Sequence, residues 1–221
     1  MKKKVIIAPS ILAADLGNLR SEVKRLDKAG ADCIHIDIMD GKFVKNITFG
    51  PTVVSSIRDS TYLPFELHLM IERPDLYIDK FAQAGSDLIT VHYESNHNIS
   101  KTIGMIRSHK IKAGIAISPE TSFQKVSHFI PDVSQLLVMS VHPGFGGQKF
   151  IKESINKIKE ASSFRKRNNL DTIIAVDGGI TLETGKEAVA AGADELIAGT
   201  AILKSKNFKD TIQKFRSITH D

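Results

Sequence analysis

The feature that most constrains this chain is an alternation, repeated eight times, of a short apolar run and a longer amphipathic stretch. The runs are about five residues long and rich in valine, isoleucine and leucine, which is typical of strands buried on both faces. They are VIIAP (5–9), CIHID (33–37), FELHL (65–69), LITVH (88–92), AGIAI (113–117), LLVMS (136–140), IIAVD (173–177) and ELIAG (195–199). The amphipathic stretches predict helices near 16–29, 52–59, 74–84, 98–109, 121–129, 149–167, 182–191 and 207–218. Strands that alternate with helices predict a parallel sheet of the α/β class.

Eight such units in 221 residues predict a closed (β/α)8 TIM barrel that occupies the whole chain, 1–221, as a single domain, because such barrels take roughly 200–250 residues. An open, doubly wound sheet is the alternative fold. It usually has fewer strands, and the first turn here lacks its glycine fingerprint. Gly30, Gly85 and Gly192 each follow a predicted helix and precede a predicted strand, as left-handed helix caps do.

The single cysteine, Cys33, excludes an intrachain disulfide framework and a zinc module built from several cysteines. We expect it to be a small buried residue at the start of a strand. No run of 18 apolar residues predicts a membrane span, and no signal-peptide pattern follows the basic N-terminal residues. These features predict a cytoplasmic protein without a membrane partner.

The formal net charge of +5 and the pI of about 9.2 raise the alternative of a nucleic-acid-binding barrel. The lysines are scattered rather than gathered in a stripe, and no zinc-finger, helix-turn-helix or RNA-recognition pattern is present. We therefore expect no nucleic-acid partner, and binding that survives physiological salt would contradict this expectation. A modest positive charge is compatible with small anionic substrates.

Polar residues end several predicted strands, where barrels of this class carry their active sites. The second strand reads HIDIM, and its period of two puts His35 and Asp37 on one face, directed into the barrel mouth. His68 lies near the end of the third strand, and Asp177 ends the seventh. Each residue alone is explained equally by hydrogen bonding inside the barrel, but the four together predict a site for one divalent metal ion. Nitrogen and oxygen ligands without thiolate suit Zn²⁺ best, and Fe²⁺, Mn²⁺ or Co²⁺ nearly as well.

Glycine-rich loops follow the last three predicted strands. HPGFGGQ (142–148) follows the sixth strand, Gly178 and Gly179 follow the seventh, and Gly199 and Thr200 follow the eighth. Glycine lets backbone N–H groups approach an anion closely, and phosphate often binds at the loops after strands seven and eight of such barrels. The three loops together predict a site for a phosphate monoester.

The other histidines carry less information. His92 ends the fourth predicted strand and could line the mouth of the barrel. We expect surface positions for His97, His109, His128 and His220.

Five segments together make the sequence resemble the ribulose-phosphate 3-epimerase family across essentially its full length. They are APSILAADLGNL (8–19), HIDIMDGKFVKNITFGP (35–51), LHLMIERP (67–74), VMSVHPGFGGQKF (138–150) and VDGGI (176–180). The resemblance implies a (β/α)8 barrel that interconverts D-ribulose 5-phosphate and D-xylulose 5-phosphate. Members of the family form dimers or hexamers, so it also implies a homo-oligomer.

The resemblance implies a role for each candidate residue. His35, Asp37, His68 and Asp177 would hold the metal ion, and Asp37 and Asp177 would be the acid/base pair. Such a pair suits the chemistry, because epimerisation at C3 removes a proton next to a carbonyl and returns one to the opposite face. The implied substrate contacts are Ser10, His68, Met39, Met70, Met139, Gly144, Gly146, Gly147, Gly178, Gly179, Gly199 and Thr200.

Four positions depart from the family pattern: Lys42 replaces a common His, Lys45 a common Pro, His142 a common Asn and Thr200 a common Ser. None belongs to the metal set. Lys42 and His142 could alter contacts at the mouth, which keeps open a 3-epimerase of another ketose phosphate, such as allulose 6-phosphate. Phosphosugar decarboxylase and aldolase barrels typically carry Asp-x-Lys-x-x-Asp, and Lys45 stands where the last aspartate would be, so that motif fails.

Overall fold

Eight short parallel strands form one sheet in the computed structural model, which describes residues 4–219. The hydrogen-bonded order runs from β1 to β8 and then back through the strands to β2. The strands are β1 Ile6–Ala8, β2 Ile34–Met39, β3 Phe65–Met70, β4 Leu88–His92, β5 Lys112–Ile117, β6 Gln135–Met139, β7 Ile173–Asp177 and β8 Glu195–Ile197. This order confirms the predicted (β/α)8 barrel and rules out the doubly wound alternative.

The joint between β1 and β2 completes the barrel with few bonds. The backbone N–H groups of Asp32 and His35 donate to the carbonyl oxygens of Ile7 and Pro9, each at 3.0 Å. Ser10 and His35 form one further parallel bridge. The barrel is therefore nearly closed, and its most weakly bonded joint lies beside the end of β2.

The helices pack on the outside of the sheet, and most lie where the amphipathic pattern predicts them. They are α1 Leu19–Lys28, α2 Pro51–Arg58, α3 Ile78–Gln83, α4 Ile99–Ser108, α5 Ser154–Arg167, α6 Leu182–Ala191, α7 Thr200–Leu203 and α8 Phe208–Arg216. The short α7 was not predicted, because four residues are too few to show a helical period. Among the described residues, no helix has the length and apolar character needed to span a membrane.

Two helix predictions need correction. The predicted helix at 121–129 is a pair of 3₁₀ turns, Phe123–Lys125 and Ser127–Asp132. Its buried residues recur at a spacing that α-helices and 3₁₀ helices share, so the pattern does not distinguish the two. Pro131 removes a backbone donor that an α-helix needs. The helix predicted from 149 begins at Ser154, because a loop rich in left-handed glycines precedes it.

The predicted cap glycines are all left-handed: Gly30, Gly85 and Gly192 have φ of +88°, +96° and +113°. At Gly192 space is also limiting, because an added Cβ would lie 2.5 Å from Ser162 Cβ. A close contact between α6 and α5 therefore requires glycine there.

The two faces of β2 separate the outer core from the barrel interior. Ile34, Ile36 and Ile38 pack with helix residues such as Val23 and Leu26 in the main apolar cluster. A second, smaller cluster contains several alanines of other strands, with Leu137, Met139 and Ile197, and its members alternate with the outward residues. The alternation sends the polar residues of β2 into the barrel, as the sequence predicts.

Three ionisable side chains meet inside the barrel at the amino-terminal ends of the strands. An oxygen of Glu66, an oxygen of Glu195 and the sulfur of Cys33 lie within 4.8 Å of one another. Gln135 Nε2 donates to Glu195 Oε2 at 3.0 Å, and Thr90 Oγ1 donates to Gln135 Oε1 at 2.9 Å. Burial, together with the Glu66 carboxylate, raises the pKa of Glu195 well above its ordinary value. Burial likewise raises the pKa of the Cys33 thiol, which agrees with the predicted buried position.

We expect Glu195→Gln to stabilise the protein increasingly as pH rises. Glu195 holds its proton more tightly in the folded than in the unfolded chain, so its contribution to stability is present below about pH 4.5 and is lost as pH rises towards the folded pKa. The difference in unfolding free energy between variant and wild type should grow by up to about 1.4 kcal/mol per pH unit. Urea unfolding at pH 5 and pH 8 measures it. Glu187→Gln, an exposed position, is the matched control, and an equal difference at both pH values would contradict the assignment.

Candidate active site

Four ionisable side chains converge at the carboxyl ends of the strands. His35 and Asp37 come from β2, His68 from β3 and Asp177 from the end of β7. One ligand atom from each lies within 4.8 Å of the others. The residues predicted as a metal-binding set are therefore brought together, as a direct consequence of the inward face of β2 and the parallel register of β2 with β3.

Asp37 lies at the centre of this group. Its Oδ1 lies 3.1 Å from His68 Nδ1 and 3.4 Å from His35 Nε2, while Ser10 Oγ donates to its Oδ2 at 2.6 Å. Asp177 Oδ2 lies farther out, 3.8 Å from His68 Nδ1 and 4.0 Å from His35 Nε2. One carboxylate is thus heavily bonded and the other is nearly free of side-chain partners.

The two carboxylates have opposite pKa shifts. Burial alone would raise the pKa of Asp37, but His35 and His68 outweigh it and hold the pKa well below its usual value. Burial and the nearby charge of Asp37 raise the pKa of Asp177 to about 7. Two carboxyl groups at the same site therefore favour different protonation states near neutral pH, which is the arrangement that acid/base chemistry needs.

The two histidines also differ. Burial opposes a charge on His35, yet Asp37 and Asp177 outweigh it and raise the pKa of His35 to about 9. Burial is the main reason that the pKa of His68 falls to about 4. His68 is therefore a neutral ring at physiological pH, with a lone pair on one nitrogen.

The side chains present fit a divalent cation. Both ring nitrogens of His35 are buried without a hydrogen-bond partner among the described residues, although its Nε2 faces the Asp37 and Asp177 carboxylates. Burying a polar nitrogen without a hydrogen-bond partner reduces the stability of the fold. A cation bound between the rings and the carboxylates would remove that loss of stability. The donor set of imidazole nitrogens and carboxylate oxygens has no thiolate, which suits Zn²⁺, Fe²⁺, Mn²⁺ or Co²⁺.

A cavity of about 900 Å³ opens above this group. Its wall contains Asp37, Asp177 and the predicted substrate contacts Ser10, Met39, Met70, Met139, Gly144, Gly146, Gly147, Gly178, Gly179, Gly199 and Thr200. His68 is not part of the wall, because its side chain is fully buried beneath it. Met39 and Met70 pack with Val44, so one side of the cavity is apolar.

The glycine loops after β6, β7 and β8 form one end of the cavity. Gly178 has φ of +111°, and an added Cβ would lie 2.4 Å from Val141 Cγ2. At Gly179 an added Cβ would lie 2.5 Å from the backbone nitrogen of Phe150. These close approaches leave backbone groups facing the cavity. Lys149 and Lys204 also line it, and sequence reasoning missed both because surface lysines are common.

His92 and Glu94 stand behind His68. His92 is fully buried, with Nε2 2.9 Å from His68 Nε2 and Nδ1 2.9 Å from Glu94 Oε2. His92 was predicted as a candidate for lining the mouth, but it lies beneath the cavity wall. Glu94 was missed, although a period of two from His92 would have placed it on the same face.

One of the surface histidines was misplaced. His97 is half-buried, because its ring contacts Thr102 Oγ1 at 2.8 Å and the carbonyl oxygen of His92 at 3.0 Å. His109 and His128 are exposed, as predicted. His220 lies outside the described residues.

The departures from the family pattern at Lys42, Lys45 and His142 lie outside the cavity wall. Lys42 Nζ lies 3.5 Å from Glu72 Oε2, and His142 Nδ1 lies 3.1 Å from Glu120 Oε1. Lys42 and His142 therefore face carboxylates outside the cavity wall rather than its interior. Thr200, the fourth departure, begins α7 at the cavity wall.

Comparisons with known proteins agree with the fold and identify the family. A mutant tryptophan synthase alpha-subunit from Pyrococcus furiosus superposes with a TM-score of 0.71 at 15% identity, covering 99% of each chain, which shows the fold alone. A Bacillus subtilis protein named ribulose-phosphate 3-epimerase is 46% identical over 211 residues, 95% of this chain and 97% of that protein. A protein of the same name from Chlamydia trachomatis is 44% identical over 226 residues, 100% of this chain and 97% of that protein. The model of the ribulose-phosphate 3-epimerase family matches residues 6–203. The chain therefore belongs to the ribulose-phosphate 3-epimerase family.

Proposed function

We propose that this chain interconverts D-ribulose 5-phosphate and D-xylulose 5-phosphate by moving protons at C3. The observation that carries the proposal is the pair Asp37 and Asp177, two carboxylates with opposite pKa shifts at the floor of one cavity. They come from β2 and β7, which are not neighbours in the sheet. A sugar lying between them has one carboxyl group on each side.

The proton transfers follow from the protonation states of the pair. In one direction ionised Asp37 removes the C3 proton, which is acidic because C3 is next to the C2 carbonyl. Asp177, whose pKa of about 7 leaves a large fraction protonated at neutral pH, then returns a proton to the opposite face of the enediolate. In the reverse direction the two residues exchange roles, and Ser10 orients Asp37 through its hydrogen bond in both.

His35, Asp37, His68 and Asp177 are the residues that would hold a divalent ion. Such an ion, when bound, supplies Lewis-acid stabilisation of the negative charge that develops next to C3. Each aspartate has two carboxylate oxygens, so it can contribute one to the ion and keep the other for proton transfer. We favour Zn²⁺ for this donor set, with Fe²⁺, Mn²⁺ and Co²⁺ as the alternatives.

Two further features hold the sugar in place. Backbone groups of the glycine loops, with Lys204 nearby, bind the phosphate far from C3, so that binding energy orients the reacting carbon. Met39, Met70 and Met139 cover the carboxylates with polarisable, water-poor surface. Water is thereby kept from competing for the protons at C3.

Asp177→Asn is expected to lower kcat by about 10²–10⁴-fold with little change in KM, because an amide cannot carry the proton. A coupled assay that starts from D-ribulose 5-phosphate measures both constants. Asp171→Asn makes the same chemical change at an exposed position before β7 and should leave them unaltered. An Asp177→Asn enzyme with wild-type kcat would refute the two-acid mechanism.

Removal of the ion should make stability fall with rising pH. In the metal-free protein the pKa of Asp177 is raised from 3.8 to about 7 and that of His35 from 6.5 to about 9. Each contribution is present below the unfolded pKa and is lost as pH passes the folded pKa. The pKa of His68, lowered from 6.5 to about 4, acts in the opposite direction between about pH 4 and 6.5 and offsets Asp177 there, so the net fall is expected between about pH 6.5 and 9. The lowered pKa of Asp37 acts only at more acidic pH. A cation replaces these protons, so its stabilising effect should grow with pH.

Thermal unfolding of chelator-treated and Zn²⁺-reconstituted protein at pH 5, 7 and 9 tests this expectation. Asp177→Asn should remove the Asp177 contribution, which in the wild type is lost as pH approaches 7. The metal assignment fails if the ion stabilises the protein equally at all three pH values, or if thoroughly stripped protein keeps full activity.

A sugar that lacks the phosphate should be a much poorer substrate than the phosphorylated sugar. At least two charge-assisted hydrogen bonds of about 1.5–3 kcal/mol each would be lost, which lowers kcat/KM for D-ribulose by about 10²–10⁴-fold. Lys204→Met should raise KM for the phosphorylated sugar, whereas Lys206→Met, outside the cavity wall, should not. A faster reaction with allulose 6-phosphate than with D-ribulose 5-phosphate would favour the hexulose alternative.

A further inference from the structure

We propose that Glu94 and His92 are positioning residues that hold the ring of His68 in the tautomer whose Nδ1 carries the lone pair directed at the metal site. The proposal rests on the proposed function, in which His68 is one of the residues that hold the ion. It assigns a task to two buried or partly buried groups that make no contact with the cavity.

The contacts form an unbroken series from solvent to the metal site. Glu94 Oε2 lies 2.9 Å from His92 Nδ1, and His92 Nε2 lies 2.9 Å from His68 Nε2. The other ring nitrogen of His68, Nδ1, lies 3.1 Å from Asp37 Oδ1 and 3.8 Å from Asp177 Oδ2. Each nitrogen of both rings therefore faces one defined partner.

Glu94 determines which atoms donate and which accept hydrogen bonds along this series. Its other oxygen, Oε1, accepts from the backbone N–H of Ser118 at 2.8 Å and from the hydroxyl of Thr121. Burial would raise the pKa of Glu94, but His92, Thr121 and Ser118 outweigh it and lower the pKa to about 2. Glu94 is therefore an ionised carboxylate at neutral pH, and its Oε2 can only accept a hydrogen bond.

The protons of the two rings then follow in order. His92 Nδ1 must carry hydrogen in order to donate to Glu94. With a single hydrogen on His92, its Nε2 is the acceptor, so His68 Nε2 carries hydrogen and donates to it. His68 Nδ1 is left with its lone pair, directed between Asp37 and Asp177, where a cation would bind. A second hydrogen, on His92 Nε2, would instead make His68 Nε2 the acceptor. In the metal-free protein the Asp37 oxygen 3.1 Å away favours hydrogen on His68 Nδ1 instead, so Glu94 and His92 act against Asp37 in selecting the tautomer.

The opposite tautomers of His68 and His92 are disfavoured by the contact between His92 and Glu94. A hydrogen on His68 Nδ1 would occupy the coordinating nitrogen, and His92 Nε2 would have to donate to His68. The lone pair of His92 Nδ1 would then face the Glu94 carboxylate at 2.9 Å, with no hydrogen between two acceptors. A carboxylate at this place therefore selects the tautomer that can ligate, as partners of metal-binding histidines commonly do.

Glu94→Gln tests the inference, because it reverses the direction of the series while keeping the size of the side chain. The amide oxygen should stay with the Ser118 N–H and the Thr121 hydroxyl, since an NH₂ group cannot accept from them. The NH₂ group then faces His92 Nδ1 and must donate to it. His92 Nε2 would donate to His68, and the hydrogen of His68 would move to Nδ1.

We expect Glu94→Gln to weaken Zn²⁺ binding by about 10–100-fold, measured by competition with a chromophoric chelator. Glu94→Ala should weaken it less, because His92 is then free to adopt either tautomer. Melting temperatures should follow the opposite order, since glutamine keeps the bonds to Ser118 and Thr121. A purely structural role predicts that alanine is the worse variant in both measurements, and that result would overturn the proposal.

Long-range ¹H–¹⁵N NMR spectra read the tautomer independently of activity. His68 should show hydrogen on Nε2 in metal-free wild type and on Nδ1 in metal-free Glu94→Gln, and hydrogen on Nδ1 in both would overturn the inference. The matched control is Asp79→Asn, which removes the carboxylate 2.8 Å from exposed His109 Nε2, and it should not change Zn²⁺ affinity.

The outcomes separate this inference from the function on which it rests. Wild-type protein that binds Zn²⁺ and epimerises the sugar, beside a Glu94→Gln variant of unchanged affinity, would overturn the role of Glu94 and His92 alone. Active wild-type protein that binds no divalent ion would overturn the metal site and with it this inference. Weak binding by Glu94→Gln with the hydrogen of His68 on Nδ1 would support both.

Discussion

The central constraint on this molecule is that ionisable groups are buried inside a nearly closed sheet. A buried charge is tolerated only when it is paired or bound to a cation. Asp37 satisfies this condition with a hydroxyl and two imidazole rings, and its charge is thereby held in place. Asp177 has fewer partners, and burial and the Asp37 charge raise its pKa to about 7. The difference in reactivity between two identical side chains thus arises from how many neighbours each one has.

The barrel places a pair of acids at each end, with different results. At the carboxyl ends of the strands the acids face a large cavity and two histidines, which makes them reactive. At the amino ends Glu66 and Glu195 lie within packed side chains, where Gln135 is the hydrogen-bonding partner of Glu195. Access to a cavity and nearby imidazole rings therefore distinguish the acids of the candidate site from the pair inside the packed core.

The sequence allowed most of the fold and the centre of the site to be predicted, because both depend on local periodicity. Strands with a period of two determine which face carries His35 and Asp37, and the strand ends determine where they meet. The helix at 121–129 was wrong because Pro131 acts against a spacing that still looks helical. Glu94 was missed although it continues the period of two from His92, because its importance depends on a contact with His92 and on donors from a separate segment.

The joint between β1 and β2 has a mechanical consequence. Every other neighbouring pair of strands shares at least three registered residue pairs, whereas this one has two backbone bonds and a single bridge. Ser10 reaches across it to Asp37, so the least reinforced line of the barrel passes beside the two carboxylates of the candidate site. Opening fluctuations of the barrel would begin at this joint and would change the distance between Asp37 and Asp177 first. Shortening or lengthening the segment between β1 and β2 would therefore disturb that distance before it disturbs the rest of the barrel.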